Sequence, residues 1–139
     1  MHTKKFSGYY IIRLEKDEEI VSAIMTAAQR FRINGAFFFG LGVGKDLVLG
    51  YYDPHKKKYL KKVFQGEYEF TSLSGNIAYS GKDCIVHCHV TITDQDFAAF
   101  GGHLFQGIVP ATCEIVVLPL SRSLKRSRDR VTGLKLLEI

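Results

Sequence analysis

The sequence predicts an α+β domain, a largely antiparallel β-sheet carrying one main helix. Two observations carry this reading. Short runs rich in Val, Ile, Phe and Tyr recur along the 139 residues, separated by breaks built from Gly, Asp, Asn and Pro. Only one stretch, near the N-terminus, shows sustained helical spacing of apolar residues. Many strands with one sound helix fit a sheet with its helix on one side. The length fits a single domain over residues 1–139, and no internal repeat or linker interrupts it.

Residues 9–14, Tyr-Tyr-Ile-Ile-Arg-Leu, read as the first strand. Asp17-Glu18-Glu19 then opens the helix, with Asp17 as the expected cap and acidic groups at the positive end of the helix dipole. Ile20, Ile24, Ala27, Ala28 and Phe31 form its apolar face. Arg30 and Arg32 fall in its last turn, and Asn34-Gly35 is its stop signal.

Residues 36–43 are apolar and aromatic, with Gly40, Gly42 and Gly44 at alternate positions. A phosphate-cradling loop would need a helix directly after the glycines. Residues 46–52 instead read as another strand, so the glycines are expected to let a neighbouring element approach closely. Asp53-Pro54-His55-Lys56 is a turn, and residues 59–64 return as a basic hairpin strand with Lys56, Lys57, Lys58, Lys61 and Lys62 around it. Residues 66–77 continue as strand, and Ser80-Gly81-Lys82-Asp83 is a turn. Residues 84–93 form the next strand. Asp94-Gln95-Asp96 is expected to cap a short helical turn through Phe100, ended by Gly101-Gly102. Residues 112–118 are a strand closed by Pro119. Residues 121–130 read as a mobile basic loop, and residues 134–139 as a short returning strand.

Composition narrows the function classes. No apolar run approaches the roughly 20 residues of a membrane span. The first residues, Met1 to Phe6, lack the apolar core of a signal peptide, so a cytoplasmic protein with no membrane partner is expected. Cys84, Cys88 and Cys113 are too few and too irregular for a disulfide framework and read as small buried hydrophobes. The net charge of +5 favours anionic partners without selecting one.

The chemistry concentrates in Val86-His87-Cys88-His89-Val90 and Gly101-Gly102-His103-Leu104. Strand alternation puts His87 and His89 on one face, with Cys84 and Cys88 on the other, and separates the two imidazoles by about 7 Å along the strand. The two glycines would bring His103 close to that strand. Three His ligands with an open fourth position are a known catalytic zinc arrangement. The competing reading is a hydrogen-bonded histidine cluster without metal. Glu69 and Glu114 are the carboxylates considered as a general base, and Glu67 and Glu69 share one strand face that is expected to be solvated.

Three separated motifs resemble a known family. They are Gly66-Glu67-Tyr68-Glu69-Phe70-Thr71-Ser72-Leu73-Ser74-Gly75-Asn76-Ile77, then His87-Cys88-His89-Val90-Thr91-Ile92-Thr93-Asp94, then Phe100-Gly101-Gly102-His103-Leu104-Phe105-Gln106-Gly107. In that order they resemble the PPC (plant and prokaryote conserved) or DUF296 domain of the free-standing prokaryotic type. Thr132-Gly133-Leu134-Lys135-Leu136-Leu137 resembles its usual ending. The resemblance implies a PPC-like α+β fold, a homotrimer, and His87, His89 and His103 as metal ligands. It also implies an association with DNA, which in the plant proteins follows AT-hook segments. This chain contains no Arg-Gly-Arg-Pro core, and Glu67 stands where the plant pattern has Arg.

The expected function is therefore a trimeric DNA-binding or regulatory module whose DNA contact is non-specific. Arg122, Lys125, Arg126, Arg128 and Arg130 are the contacting cations. A divalent metal, zinc by preference, is the expected cofactor. The alternative is a metal-dependent small-molecule-binding protein or enzyme using His87, His89 and His103.

Overall fold

The computed structural model describes all 139 residues. In chain order they form strands β1 (His2–Lys5) and β2 (Tyr10–Glu15), helix α1 (Ile20–Arg30), and strands β3 (Ala36–Asp53), β4 (Lys58–Ser80), β5 (Asp83–Thr93), β6 (Ala99–Ile108), β7 (Thr112–Pro119), β8 (Arg126–Arg128) and β9 (Lys135–Leu137). Every pairing between these strands is antiparallel. The main sheet runs β1-β2-β7-β3-β4-β5-β6, and β8 and β9 form a separate ribbon. No helix is long and apolar enough to cross a membrane.

The helix starts later than its composition suggests. Asp17 adopts a left-handed conformation at φ 68° and does not cap. Glu19 caps instead, its carboxylate accepting from the Val21 amide at 3.2 Å and the Ser22 amide at 2.7 Å. A carboxylate two residues closer to the exposed amides satisfies donors that Asp17 does not cap. Ile20, Ile24, Ala27 and Ala28 face the core at helical spacing. The helix ends at Phe31, where Arg32 turns left-handed at φ 53°, before Asn34-Gly35 is reached.

The two strand runs at residues 36–43 and 46–52 are one strand, β3, and the runs at 59–64 and 66–77 are one strand, β4. Their pairing runs from Ala36 opposite Ile77 to Asp53 opposite Lys58, with irregularities at Gly40/Gly42 and Lys45/Leu47. Bulges of this kind bend and twist a strand without ending it. The bend gives β3 two outer neighbours. Residues 36–42 pair with β7, and Leu49 and Gly50 pair with Leu104 and His103 of β6. Strands β3, β4, β5 and β6 thereby close into a ring, which pairs β6 on both sides and leaves β1 as the outer strand.

The alternate glycines of β3 are sites of close approach. A side chain at Gly40 would strike the Glu114 carbonyl, one at Gly42 would meet Cys113 Cα at 2.6 Å, and one at Gly44 would strike the Phe70 ring. On β4, Gly75 faces the His87 carbonyl and the Phe38 ring with no room for a Cβ.

Two further expectations are corrected. Residues 94–100 form no helical turn. Asp94 accepts from the amides of Asp96 and Ala98 through its carboxylate, Phe97 is left-handed at φ 62°, and β6 begins at Ala99. Gly101 and Gly102 lie inside that strand because their backbones pack against Val90 and Gly50, which β6 needs in order to pair on both sides. Residues 121–130 are not a free loop either. Leu124 pairs by its amide and carbonyl with Asn34 and Tyr79, and β8 follows directly.

Candidate metal centre

Strand β5 alternates cleanly. Cys84, Val86, Cys88 and Val90 are buried in the core, and His87 and His89 project from the opposite face. His103 of β6 stands directly across from His89, with Gly102 opposite Val90 and Gly101 opposite Thr91. The three rings form a triangle. Ring centroids are 5.0 Å apart for His87 and His89, 5.1 Å for His87 and His103, and 5.4 Å for His89 and His103. The Nε2 atoms of His87 and His89 are 3.2 Å apart, and one ring nitrogen from each histidine lies within 4.8 Å of the others. Ligands on one tetrahedral zinc have nitrogens roughly 3–4 Å apart, so small ring rotations reach that geometry.

The wall of the cluster is aromatic. Gly50 lies opposite both His103 and Lys61, and its missing side chain leaves room for the Phe105 and Tyr59 rings. Phe105 packs 4.5 Å from the His103 ring and Tyr59 packs 5.1 Å from it. The Lys61 ammonium sits 3.9 Å above the Phe105 ring centroid.

The C-terminal ribbon supplies the third side. Arg126 Nη2 donates to Asn76 Oδ1 at 2.9 Å and contacts His87 Nδ1 at 3.1 Å, and Nη1 donates to the Lys135 carbonyl. The Tyr52 hydroxyl donates to the Thr132 carbonyl, tying the same segment to the β3–β4 hairpin. Two polar atoms here are buried without a partner, His103 Nδ1 and Arg126 Nε.

Burial sets the charge of the rings. Desolvation, reinforced by the Arg126 charge and by His89, pushes His87 down to about 4. Desolvation also pushes His103 down to about 4, with further lowering from His87, His89, Lys61 and Arg126. Both imidazoles are thus neutral near pH 7, which is the form that ligates a metal. Burial pushes the thiols of Cys88 and Cys113 up to about 12, so they are neutral and inert on the core side.

The donor set suits a divalent ion of borderline softness: three imidazole nitrogens, an orphaned buried nitrogen on His103, and an exposed side at His89. No carboxylate joins it. Glu69 lies opposite Thr93, Glu114 lies opposite Arg13 and Leu41, and Glu67 and Glu69 are exposed on their own strand face.

The five basic residues expected to contact DNA divide. Arg122, Lys125, Arg128 and Arg130 are exposed. Arg126 is only 9% exposed and turns inward onto Asn76 and His87 where the ribbon meets β4, while Arg128, two residues on and of the same strand parity, is exposed. Arg126, Asn76, Tyr59, Phe105 and Lys61 were not associated with the histidines by sequence spacing. Their contacts come from strand closure and from the C-terminal ribbon, and no local signal singles out Arg126.

Residues 1–121 match the profile of the Plants and Prokaryotes Conserved (PCC) domain. A solved metal-containing protein from Archaeoglobus fulgidus superimposes with a TM-score of 0.88 at 34% identity, covering 99% of this chain and 96% of that one. A plant- and prokaryote-conserved (PPC) protein from Pyrococcus horikoshii superimposes with a TM-score of 0.88 at 28% identity, covering 99% and 94%. A protein from Bacteroides thetaiotaomicron suggested to bind DNA gives a TM-score of 0.94 at 28% identity, covering 99% and 96%. No curated protein matches the chain.

The depressed histidines predict a pH dependence for the metal-free protein. In the unfolded chain His87 and His103 titrate near 6.5, and in the folded chain near 4. Between those values the unfolded state binds more protons, so the stabilisation is complete above about pH 6.5 and is lost as pH falls toward about 4. Urea midpoints measured across this range should fall, and the His87→Gln/His103→Gln protein should show a shallower fall. Equal slopes for the two proteins would show that these rings are not desolvated.

Proposed function

The chain belongs to the Plants and Prokaryotes Conserved domain family, and we propose that it is a metal-binding member in which His87, His89 and His103 hold one divalent ion, zinc by preference. The observation that carries this reading is the convergence of three imidazole nitrogens within 4.8 Å on one sheet face. The relative from Archaeoglobus fulgidus, described as metal-containing, supports it. A bound ion with an open position would polarise a carbonyl or lower the pKa of bound water, which is the chemistry a small-molecule-binding protein or enzyme would draw on. His87 and His103 would ligate it from the half-buried side, and His89 from the solvent side. Zinc titration followed by calorimetry should give one ion per chain. His89→Ala should lose at least about tenfold in affinity. Cys88→Ala, on the core face, should bind as the parent does. Unchanged affinity in His89→Ala would return the cluster to the hydrogen-bonded reading.

The second part of the proposal is self-association as a homotrimer. The sheet face that carries the histidines also exposes Phe37 at 48%, Phe39 at 53% and Leu41 at 59%. Phe37 lies opposite Leu118, and Phe39 lies opposite Val116, which itself faces Ile11. A contiguous apolar face of this kind suits a second copy better than water. Light scattering at micromolar concentration should give about three times the chain mass, and Phe39→Glu should reduce it. A monomeric parent protein would end this part.

Nucleic-acid contact is proposed as non-specific and electrostatic, carried by the exposed Arg122, Lys125, Arg128 and Arg130 of a protein working in the cytoplasm. The relative suggested to bind DNA supports the partner class. All 139 residues are proposed to act as one unit, since Arg126 and Thr132 reach the strands. DNA affinity should fall steeply with salt, and Arg128→Gln/Arg130→Gln should reduce that slope while Arg126→Gln leaves it unchanged. Tight binding to one sequence at physiological salt would contradict this reading.

A further inference from the structure

The histidine cluster is surrounded by positive charge that no acidic group balances. The Arg126 guanidinium is nine-tenths buried, and its contacts are the Asn76 side chain, the Lys135 carbonyl and the His87 ring, all uncharged. Its Nε has no partner at all. Lys61 rests on Phe105, whose ring packs against His103, and it too has no carboxylate partner. The nearby acids are engaged elsewhere or stand apart. Asp129 accepts from the amide and hydroxyl of Thr132 at 2.7 Å each. Glu138 lines a cavity of about 420 Å³ together with Asn34, Tyr79, Lys125 and Arg126, but forms no ion pair there.

This arrangement inverts the usual support of a metal-ligating histidine. The second ring nitrogen of such a histidine ordinarily donates to a carboxylate, a carbonyl or water. Here the group against His87 Nδ1 is a guanidinium, which has donors and no acceptor. A divalent ion on the three imidazoles would face a fixed like charge across one ring, on the side of the site that the buried Arg126 closes. The donor atoms converge all the same, and no carboxylate of the chain pairs with Arg126 or Lys61, so a balancing negative charge is what the site lacks.

Resting on the metal reading above, we propose that the centre takes its ion together with a small oxyanion, a carboxylate or a phosphate group, attracted by Arg126 and Lys61 and entering from the exposed His89 side. The ligand class of the site is then anionic. Ion and anion bind with positive coupling, because each relieves the repulsion the other would meet.

Cobalt(II) tests this, since its visible spectrum reports both affinity and coordination. The full chain is titrated in perchlorate, then with acetate, then with inorganic phosphate. Affinity should rise about tenfold in at least one oxyanion, with a changed spectrum. A gain in acetate alone assigns a carboxylate ligand, and a gain in phosphate alone assigns a phosphate. Arg126→Gln should bind cobalt more tightly than the parent in perchlorate and lose most of the oxyanion gain. Lys61→Gln, at an exposed position, should shift both quantities in the same directions by less. If Arg126 merely braces His87, Arg126→Gln weakens cobalt binding under every condition, which overturns the inference. Equal parent affinity in perchlorate and in both oxyanions overturns it as well, with the metal reading intact. Failure to bind cobalt under any condition removes the metal reading itself.

Discussion

The constraint on which this structure depends is the double use of β3. One strand of 18 residues pairs with β4 along its length, with β7 over its first half and with β6 beyond its bend. Without the irregularities at Gly40/Gly42 and Lys45/Leu47, the second half would continue straight and β6 would be an edge. Closing the ring places Gly50 against His103, brings Phe105 and Tyr59 over the glycine, and walls one side of the histidine cluster. The site is thus a consequence of how the sheet bends as much as of where its histidines lie.

A second constraint is close backbone approach between strands. Gly75 on β4 and Gly101 and Gly102 on β6 sit against carbonyls of β5 and β3, with no space for a side chain. They hold β5 between its neighbours, which fixes the rows Asn76–His87 and Ser74–His89–His103. Hydrophobic burial on the other face secures the register. A slip of one residue on β5 would carry Cys84, Val86, Cys88 and Val90 out of the core and both histidines into it.

Arg126 joins these two constraints to the chemistry. Burying a guanidinium without an acidic partner is unfavourable unless its donors are satisfied. Asn76 and the Lys135 carbonyl take most of that load, and the remaining contact falls on His87. The C-terminal ribbon is therefore part of the centre, holding a fixed positive charge beside a candidate ligand. That charge and the burial of the rings act in the same direction, keeping His87 neutral.

What the residues determine by themselves is local or periodic. The helix is legible in the spacing of Ile20, Ile24, Ala27 and Ala28, and the shared face of His87 and His89 follows from parity alone. The α+β class, with a mostly antiparallel sheet and a single helix, is also legible, because strand composition and turn residues are properties of short segments. The family likeness extends over residues 1–121, which hold the motifs at 66–77, 87–94 and 100–107 and not the ending at 132–137. What only the tertiary structure decides is where distant segments meet. Bulges merge four strand-like runs into two long strands, since an irregularity that bends a strand looks in sequence like a break between strands. Arg126 lies among other Arg and Lys residues, and nothing in its neighbours marks it as the one turned inward. Its contact with His87 spans 39 residues and depends on ring closure and on a three-residue ribbon, neither of which has a periodicity to read.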